Sequence, residues 1–225
     1  MLDERVPARQ PLESRARRHL ETAPLARLEF FFDCSSPWTY LAFHQIESVA
    51  AEADADLVWV PILVGGVFNQ VNPGVYEQRA QPVPAKARYH GKDLADWARL
   101  YDLQIGWPDV FPVNSVKAMR GCLVAEDAGC LPRFARAVFE AYWGELQDIS
   151  QDAVLEKIAR DVELDPGTFF ARIAELPVKD RLRANTDRLI ERGGFGSPTI
   201  IIDDDDLYFG NDRLPLVREA LRRAR

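Results

Sequence analysis

A serine followed by a proline, Ser36-Pro37, opens a predicted helix directly after a short apolar segment. Serine is a good N-cap because its oxygen accepts a backbone N–H that lacks a partner in the helix, and proline fits the first helical position. A thiol-redox protein would carry Cys-x-x-Cys at this place, where the helix dipole stabilises a thiolate. Here the two cysteine positions are held by Ser36 and Thr39. The pattern therefore indicates either a plain helix cap or a hydroxyl that binds the thiolate of another molecule.

A second candidate segment is Ser197-Pro198, which follows a glycine-rich run and precedes a β-branched strand. A cis peptide bond before this proline is one possibility, since cis X-Pro bonds occur in tight turns. In a thioredoxin-type fold this loop faces the first helix, and the backbone of Ser197 would pair with an extended, peptide-like ligand as an added strand does. The alternative is that the glycines only end a helix and permit a turn.

A third candidate segment, Gly210-Asn211-Asp212-Arg213, opens the last predicted helix. A helix N-terminus favours a ligand carboxylate. Asp212 could hold an ammonium group and Arg213 a carboxylate, and the α-amino acid end of a ligand needs both. The alternative is capping of the helix by Asn211 or Asp212.

The elements that would position these segments follow from the hydrophobic pattern. Residues 28–33 are predicted to form a buried strand, residues 37–53 a helix and residues 56–63 a second strand. Together they make a β-α-β unit with parallel strands. Two short strands and a final helix are predicted after residue 198. The sequence thus predicts an α/β chain with a thioredoxin-like fold (βαβ…ββα) and a large all-α insertion.

A loop and then a helical region follow the second strand. Residues 64–84 hold many turn residues and are predicted to form a long, ordered and functional loop. Residues 85–191 are predicted to be mostly helical, with six helices. The predicted domains are an N-terminal extension that is partly helical or disordered, a thioredoxin-like domain in two pieces, and a helical insertion: residues 1–26, 27–84 with 186–225, and 85–185.

The composition limits the function classes. The net charge of −7 argues against nucleic-acid binding, which requires a basic face. The three cysteines, Cys34, Cys122 and Cys130, show no Cys-x-x-Cys spacing and favour a reducing, cytoplasmic compartment. The three histidines lie far apart in the sequence, so no metal site is expected. No apolar run approaches the ~20 residues of a membrane span, so no membrane partner is expected.

Five segments together resemble the family of kappa-class glutathione transferases and 2-hydroxychromene-2-carboxylate isomerases, within the DsbA-like thioredoxin superfamily. In chain order they are residues 32–38 (FDCSSPW), 63–68 (LVGGVF), 111–114 (FPVN), 194–199 (GFGSPT) and 209–214 (FGNDRL). Each segment is weak evidence alone, but all of them in this order are specific. The resemblance spans essentially the whole chain after the N-terminal extension.

The resemblance implies a thioredoxin fold with a helical insertion, glutathione as cofactor and a homodimer. Ser36 is then the residue that activates the glutathione sulfur. Ser197, before a cis Pro198, would pair its backbone with the cysteinyl part of glutathione. Asp212 and Arg213 would bind the γ-glutamyl end.

The resemblance also implies that the 64–84 loop supplies an asparagine to glutathione. Asn72 is the first choice and Asn69 the second. Family members often carry a lysine near position 69. Lys86 or Arg88 would replace that lysine in binding the glycyl carboxylate.

The implied activity is that of a glutathione-dependent isomerase, whose bound thiolate adds reversibly to a conjugated double bond of a small aromatic substrate. Trp38, Phe68 and Tyr89, together with Trp107, are expected to line the substrate pocket. One alternative is a kappa-like glutathione transferase or another DsbA-family oxidoreductase. Another is a non-catalytic thioredoxin-like binding protein. The absence of a thiol at both cysteine positions weighs against disulfide exchange.

Overall fold

The computed structural model describes residues 25–223. In chain order its elements are β1 (Arg27–Phe32), α1 (Pro37–Glu52), β2 (Asp56–Pro61), α2 (Val64–Val71), α3 (Gly74–Ala80), α4 (Pro84–Leu100), α5 (Val116–Asp127), α6 (Leu131–Phe139), α7 (Asp152–Asp161), α8 (Pro166–Ile173), α9 (Leu176–Glu191), β3 (Thr199–Ile202), β4 (Asp206–Phe209) and α10 (Leu214–Arg223).

The four strands form one mixed sheet in the order β2-β1-β3-β4. β1 and β2 are parallel, as a β-α-β unit requires, whereas β3 is antiparallel to both of its neighbours. The chain therefore begins and ends in the predicted βαβ and ββα order. Because β1 lies next to β3, the start of α1 is brought close to the loop that precedes β3.

The aromatic run of β1 explains the layers around the sheet. Side chains alternate along a strand, so Phe30 and Phe32 share one face, where both rings contact Phe43 of α1. Phe31 lies on the other face and packs in a smaller cluster with Leu189 of α9. All three phenylalanines of β1 are fully buried. The sheet is therefore covered by α1 on one side and by α9 on the other.

The prediction of a loop over residues 64–84 is wrong, because this segment forms α2 and α3. Local turn signals favoured a loop, yet α2 packs on α9. Gly66 permits this close packing, since a Cβ there would lie 3.3 Å from Thr186 Cγ2. The Asn-Pro-Gly run at residues 72–74 separates the two helices. Tertiary packing thus overrides local propensity here.

The six helices predicted between residues 85 and 191 are present as α4 to α9. Asp165 caps α8 as predicted, with its Oδ1 accepting a hydrogen bond of 2.8 Å from the Thr168 N–H. A π-helical turn, Glu140–Gly144, continues α6. α9 begins earlier than predicted and contacts α5 and α8 as well as β2 and α2. This one helix crosses the predicted domain limit at residue 186, and the limits themselves stay a prediction.

The hydrophobic core continues from the sheet into the helical insertion. Trp143 of the π-helical turn donates its indole N–H to the carbonyl oxygen of Cys34 at 2.9 Å. The backbone N–H of Cys34 in turn donates to Met119 Sδ of α5 at 3.3 Å. Both contacts hold the turn between β1 and α1 from the side of the insertion.

The predicted N-terminal extension, residues 1–26, lies outside the described residues apart from its last two positions. Within residues 25–223, we find no helix that combines the length and the apolar character of a membrane span.

Candidate functional site

A cavity of about 640 Å³ opens at the N-terminal end of α1. Its walls come from the turn after β1, from α2 and α3, from α4, from the segment before α5 and from the loop before β3. Residues that line it include Ser36, Trp38, Phe68, Asn72, Arg79, His90, Trp107, Phe111, Ser197 and Phe209. A cavity of this size accommodates a small organic ligand.

Ser36 combines a cap with a cross-chain contact. Its backbone is extended, with φ −101° and ψ 123°, and its Oγ accepts a hydrogen bond of 3.3 Å from the Thr39 N–H. The same hydroxyl donates to the carbonyl oxygen of Ser197 at 3.0 Å. Both readings of the Ser36 position are therefore compatible: the residue caps α1, and its proton points toward the loop before β3.

The peptide bond between Ser197 and Pro198 is cis. The Ser197 hydroxyl accepts a hydrogen bond of 3.0 Å from the Asp33 N–H and shares another of 2.7 Å with the Thr39 hydroxyl. These bonds tie the loop to the end of β1 and to the first turn of α1. The loop before β3 and the start of α1 thus face each other as predicted, whereas the second cis bond, between Phe111 and Pro112 in the cavity wall, was not anticipated.

Asp33 is a buried carboxylate that sequence reasoning did not single out. Its side chain is 1% exposed and accepts from the Ser35 N–H at 2.9 Å, the Val64 N–H at 2.8 Å and the Ser115 hydroxyl at 3.2 Å. Burial raises the pKa of this carboxyl, while the bonds from Ser35, Val64 and Ser115 act against the rise. Asp33 therefore joins three segments that line the cavity.

Asp212 and Arg213 lie in an adjoining cavity of about 240 Å³, which shares Trp38 and Phe209 with the larger one. The two side chains form an ion pair with each other. Gly210 before them has a φ of +104°, and a Cβ at this position would lie 2.7 Å from Asp212 Oδ1. Trp38 therefore lies between the cavity that contains Ser36 and the cavity that contains this ion pair.

The candidate residues of the 64–84 segment separate into two groups. Asn72 lines the large cavity, and its Nδ2 donates to the Phe195 carbonyl at 3.2 Å. Asn69 does not line it, and its Oδ1 accepts from the Tyr76 hydroxyl at 2.8 Å. Asn72 is therefore the better placed of the two asparagines.

The predicted substrate-pocket residues divide in the same way. Trp38, Phe68 and Trp107 all line the large cavity, whereas Tyr89 does not and is 62% exposed. The structure corrects the prediction for Tyr89, because the helical turn of α4 directs the next residue, His90, into the wall instead.

Lys86 lines a neighbouring cavity of about 510 Å³ that shares Trp38, Arg79 and Trp107 with the large one. Arg88, by contrast, is exposed and does not line either of these two cavities. Lys86 is therefore the better placed of the two proposed replacements.

Arg79 of α3 is a cavity cation that the sequence analysis missed. Its guanidinium carbon lies 5.5 Å from the Phe68 ring centre and 5.4 Å from that of Phe111. Within the described residues it makes no ion pair. The residue was overlooked because α3 was predicted as loop, where no side-chain direction could be assigned. Once α3 is helical, Arg79 supplies positive charge beside aromatic rings.

The cysteines are unsuited to nucleophilic chemistry. Cys34 and Cys122 are fully buried. Burial, followed by a hydrogen bond with Cys122, raises the pKa of the Cys34 thiol well above its usual range. Burial also raises the pKa of Cys130. The thiolate is the reactive form of cysteine. Because a raised pKa keeps Cys34 and Cys130 protonated, neither is suited to act as a nucleophile.

Histidines and acidic groups add no metal centre to the part of the chain that the structure describes, since no three potential ligands lie together there. His44 is half-buried, and its Nδ1 lies 3.0 Å from Arg136 Nη1. Burial, with the Arg136 charge as the second cause, lowers its pKa to about 4. His44 therefore stays neutral near pH 7 and belongs to the packing of α1.

Comparison with known proteins gives consistent similarities. The family model of the DSBA-like thioredoxin domain matches residues 27–222. The chain is 27% identical over 203 residues to a 2-hydroxychromene-2-carboxylate isomerase of Pseudomonas sp. (strain C18), covering 86% of this chain and 89% of that protein. It is 27% identical over 210 residues to glutathione S-transferase kappa 2 of Caenorhabditis elegans, covering 86% and 91%.

Among solved structures, a 2-hydroxychromene-2-carboxylate isomerase superposes with a TM-score of 0.75 at 24% identity, covering 88% of this chain and 95% of that one. This likeness confirms the predicted thioredoxin-like fold with a helical insertion. The sequence similarities confirm the resemblance on which the prediction of glutathione-linked chemistry was based.

Proposed function

Because the chain belongs to the DSBA-like thioredoxin family, we propose that it is a glutathione-dependent isomerase whose substrate is a small aromatic compound with a conjugated double bond. One observation carries the proposal: a hydroxyl, Ser36, occupies the thiol position at the start of α1 and faces Ser197 before a cis-proline. The thiol must then come from a bound molecule. Relatives named as an isomerase and a kappa-class glutathione transferase support this reading.

Glutathione binding would break the Ser36–Ser197 hydrogen bond and would form two new ones, one between each serine and the ligand. The carbonyl oxygen of Ser197 now accepts from the Ser36 hydroxyl. A cysteinyl N–H of glutathione would take over this acceptor, as a strand added to the loop does. The Ser36 hydroxyl is then free to donate to the sulfur. A hydrogen bond to the charged form lowers the thiol pKa, and the positive end of α1 adds to the effect.

The remaining parts of glutathione would fit the residues around these two serines. The ammonium group of the γ-glutamyl end would bind Asp212 and its carboxylate Arg213, which opens the ion pair seen between them. Asn72, which lines the large cavity, and Lys86, which lines the neighbouring one, would hold the glycyl end. Trp38 borders both cavities, so an extended tripeptide would pass beside it.

The chemistry balances without a further reagent. The sulfur lone pair forms a C–S bond to the conjugated carbon, and the π electrons move to the substrate oxygen. The former double bond is now single and rotates. Return of the electrons expels the thiolate and restores the double bond in the other geometry. Positioning of thiolate and substrate supplies much of the rate enhancement.

The wall residues fit this chemistry. Trp38, Phe68 and Trp107 offer flat apolar surfaces for an aromatic ring. Arg79 brings a positive charge to the same cavity, where negative charge develops on the substrate oxygen. Tyr89 is left out of the proposed pocket because it does not line the cavity.

Calorimetry with glutathione tests the proposal directly. We expect saturable binding of glutathione and of ophthalmate, the analogue with a methyl group in place of the thiol. Only glutathione should give the ultraviolet absorbance of a thiolate near neutral pH. No measurable binding at millimolar glutathione would sink the proposal and favour a non-catalytic thioredoxin-like protein.

The glutathione transferase alternative uses the same glutathione site and differs in the product. An isomerase returns glutathione at the end of each cycle, whereas a transferase consumes it and accumulates the conjugate. Following free glutathione during turnover of a conjugated aromatic substrate separates the two. We further propose a homodimer, as the resemblance implies, which sedimentation velocity checks.

A further inference from the structure

A further cavity, of about 350 Å³ and separate from the three described above, lies between α2, α5 and α9. It shares only Leu63 and Gly66 with the candidate active site. The start of α2 therefore forms a wall between the two cavities. Nothing in the proposed glutathione chemistry uses this space.

Arg120 of α5 is the unusual residue of this cavity. Its Nε is completely buried and has no hydrogen-bond partner within the described residues. Its guanidinium makes no ion pair among them either. An atom without accessible surface cannot be reached by a ligand, so the Nη groups of this unpaired guanidinium are the ones that can bind an anion from the cavity. The planar fork of a guanidinium fits a carboxylate with two parallel hydrogen bonds.

The surrounding charges point to the same ligand type. Lys179 and Arg183 of α9 also line the cavity, and neither forms an ion pair within the described part of the chain. Asp180 and Asp187 line it too, so the cations outnumber the acids by one. This local excess of positive charge runs against the net charge of −7 of the whole chain.

The walls between these charges are apolar. Leu63 and Leu182 line the cavity, and Leu176 stands at its edge with 66% of its surface exposed. The one hydroxyl of the wall is already used: Thr186 Oγ1 accepts from the Leu63 N–H at 3.0 Å and donates to the Leu182 carbonyl at 2.9 Å. Gln70 also lines the cavity, and its Nε2 already donates to Asp187 Oδ1 at 3.5 Å. Recognition of a carboxylate is therefore left to the cationic side chains.

We propose that this cavity binds a small carboxylate with a short apolar body. The carboxylate pairs with Arg120, and the apolar body contacts the leucine side chains. The volume, at the lower end of the range for small-molecule sites, excludes large ligands.

Binding here also stabilises α2. Leu63 and Gly66 belong to both walls, and the Thr186 hydroxyl holds the Leu63 N–H just before the helix. A ligand between α5 and α9 restricts the opening of this contact. Amide hydrogen exchange in α2 therefore becomes slower when the cavity is filled.

Titration calorimetry with hexanoate tests the site, with hexanol as the uncharged probe of the same length. We expect saturable binding of hexanoate and none of hexanol. Arg120→Met should weaken hexanoate binding at least tenfold and abolish the slower exchange in α2. The matched control is Arg79→Met. It removes a cation from the large cavity at the start of α1 and should leave the affinity for hexanoate within a factor of two.

Lys179→Met, at an exposed position of the same cavity, keeps the test valid should Arg120→Met fail to fold, and should weaken binding two- to fivefold. The proposal is overturned by equal binding of hexanoate and hexanol, or by loss of binding in Arg79→Met but not in Arg120→Met. It is also overturned if hexanoate does not bind. A change of oligomeric state in Arg120→Met would then indicate that a second copy of the chain covers the cavity.

Discussion

The hydroxyl of Ser36 donates a hydrogen bond of 3.0 Å to the carbonyl oxygen of Ser197, across 161 positions of the chain. The bond joins the helix that carries the proposed sulfur-binding hydroxyl to the loop that would hold the ligand backbone. Under the proposed function this bond would open when glutathione binds, so that Ser197 accepts from the ligand and the Ser36 proton turns to the ligand sulfur.

Replacement of Ser36 by alanine removes both the cap and the donor. We expect an increase in the pKa of bound glutathione and a fall in kcat of at least tenfold. Loss of the N-cap should cost about 1 kcal/mol of unfolding free energy. The pH profile of thiolate absorbance checks the first effect and urea unfolding the second. Normal turnover together with the stability loss would identify Ser36 as a cap only.

Asp212→Asn keeps the shape of the side chain and removes its charge. We expect weaker binding of glutathione, by about 1.5–3 kcal/mol for a charge-assisted hydrogen bond, with little change in kcat at saturating glutathione. Calorimetry checks the affinity. Glutathione lacking the γ-glutamyl residue, cysteinylglycine, should bind both proteins equally. An unchanged glutathione affinity in the variant would refute the assigned γ-glutamyl site.

Arg79→Met removes the cavity cation and keeps an apolar chain of similar length. We expect kcat/KM to fall more for substrates that bear a carboxylate than for their neutral methyl esters, because only the former lose an ion pair. Glutathione affinity serves as the control and should change little. Equal losses for acid and ester would mean that Arg79 does not pair with a substrate carboxylate, and that it acts instead on the charge developing on the substrate oxygen or through packing on Phe68 and Phe111.

Asp33→Asn should change the pH dependence of stability. Burial raises the pKa of Asp33 in the folded state, so the folded protein binds this proton more tightly than the unfolded chain. The resulting stability is full below pH ~4, the usual pKa of aspartate, and is lost as the pH rises through the folded pKa. The variant lacks this loss. Urea unfolding across a pH series measures the difference, and identical slopes would contradict the prediction.

His44→Asn should act in the opposite direction. The pKa of His44 is lowered to about 4, so the unfolded chain binds the proton more tightly. The stability that depends on neutral His44 is present above pH ~6.5 and is lost as the pH falls toward 4. The variant should lose less stability between these values. The same unfolding series checks it, with Asp33→Asn as a comparison of opposite sign.

The sequence allowed the strands, the helix order and the start of α1 to be predicted because each depends on local signals. Ser36-Pro37 and Asp165-Pro166 mark helix starts, and the β-branched run after Pro198 marks a strand. The same local approach failed at residues 64–84, where helix is stabilised by packing on α9.

The rest of the site depends on contacts between distant residues. Asp33 was missed because its partners, Val64 and Ser115, lie 31 and 82 positions away. Arg79 was missed because the direction of its side chain depends on a helix that local signals did not predict. Tyr89 was misplaced for a similar reason, since one residue along a helix turns the side chain by about 100°.

The indole of Trp143 and the thioether of Met119 hold Cys34, two residues before Ser36, from inside the helical insertion. The helical insertion therefore supports the site and cannot be replaced without affecting the turn between β1 and α1. Shortening the chain to its sheet and flanking helices would remove the support on one side of the turn that aims the Ser36 hydroxyl. Trp143 and Met119 do not line the cavity, yet we expect their replacement to disturb the turn that carries Ser36.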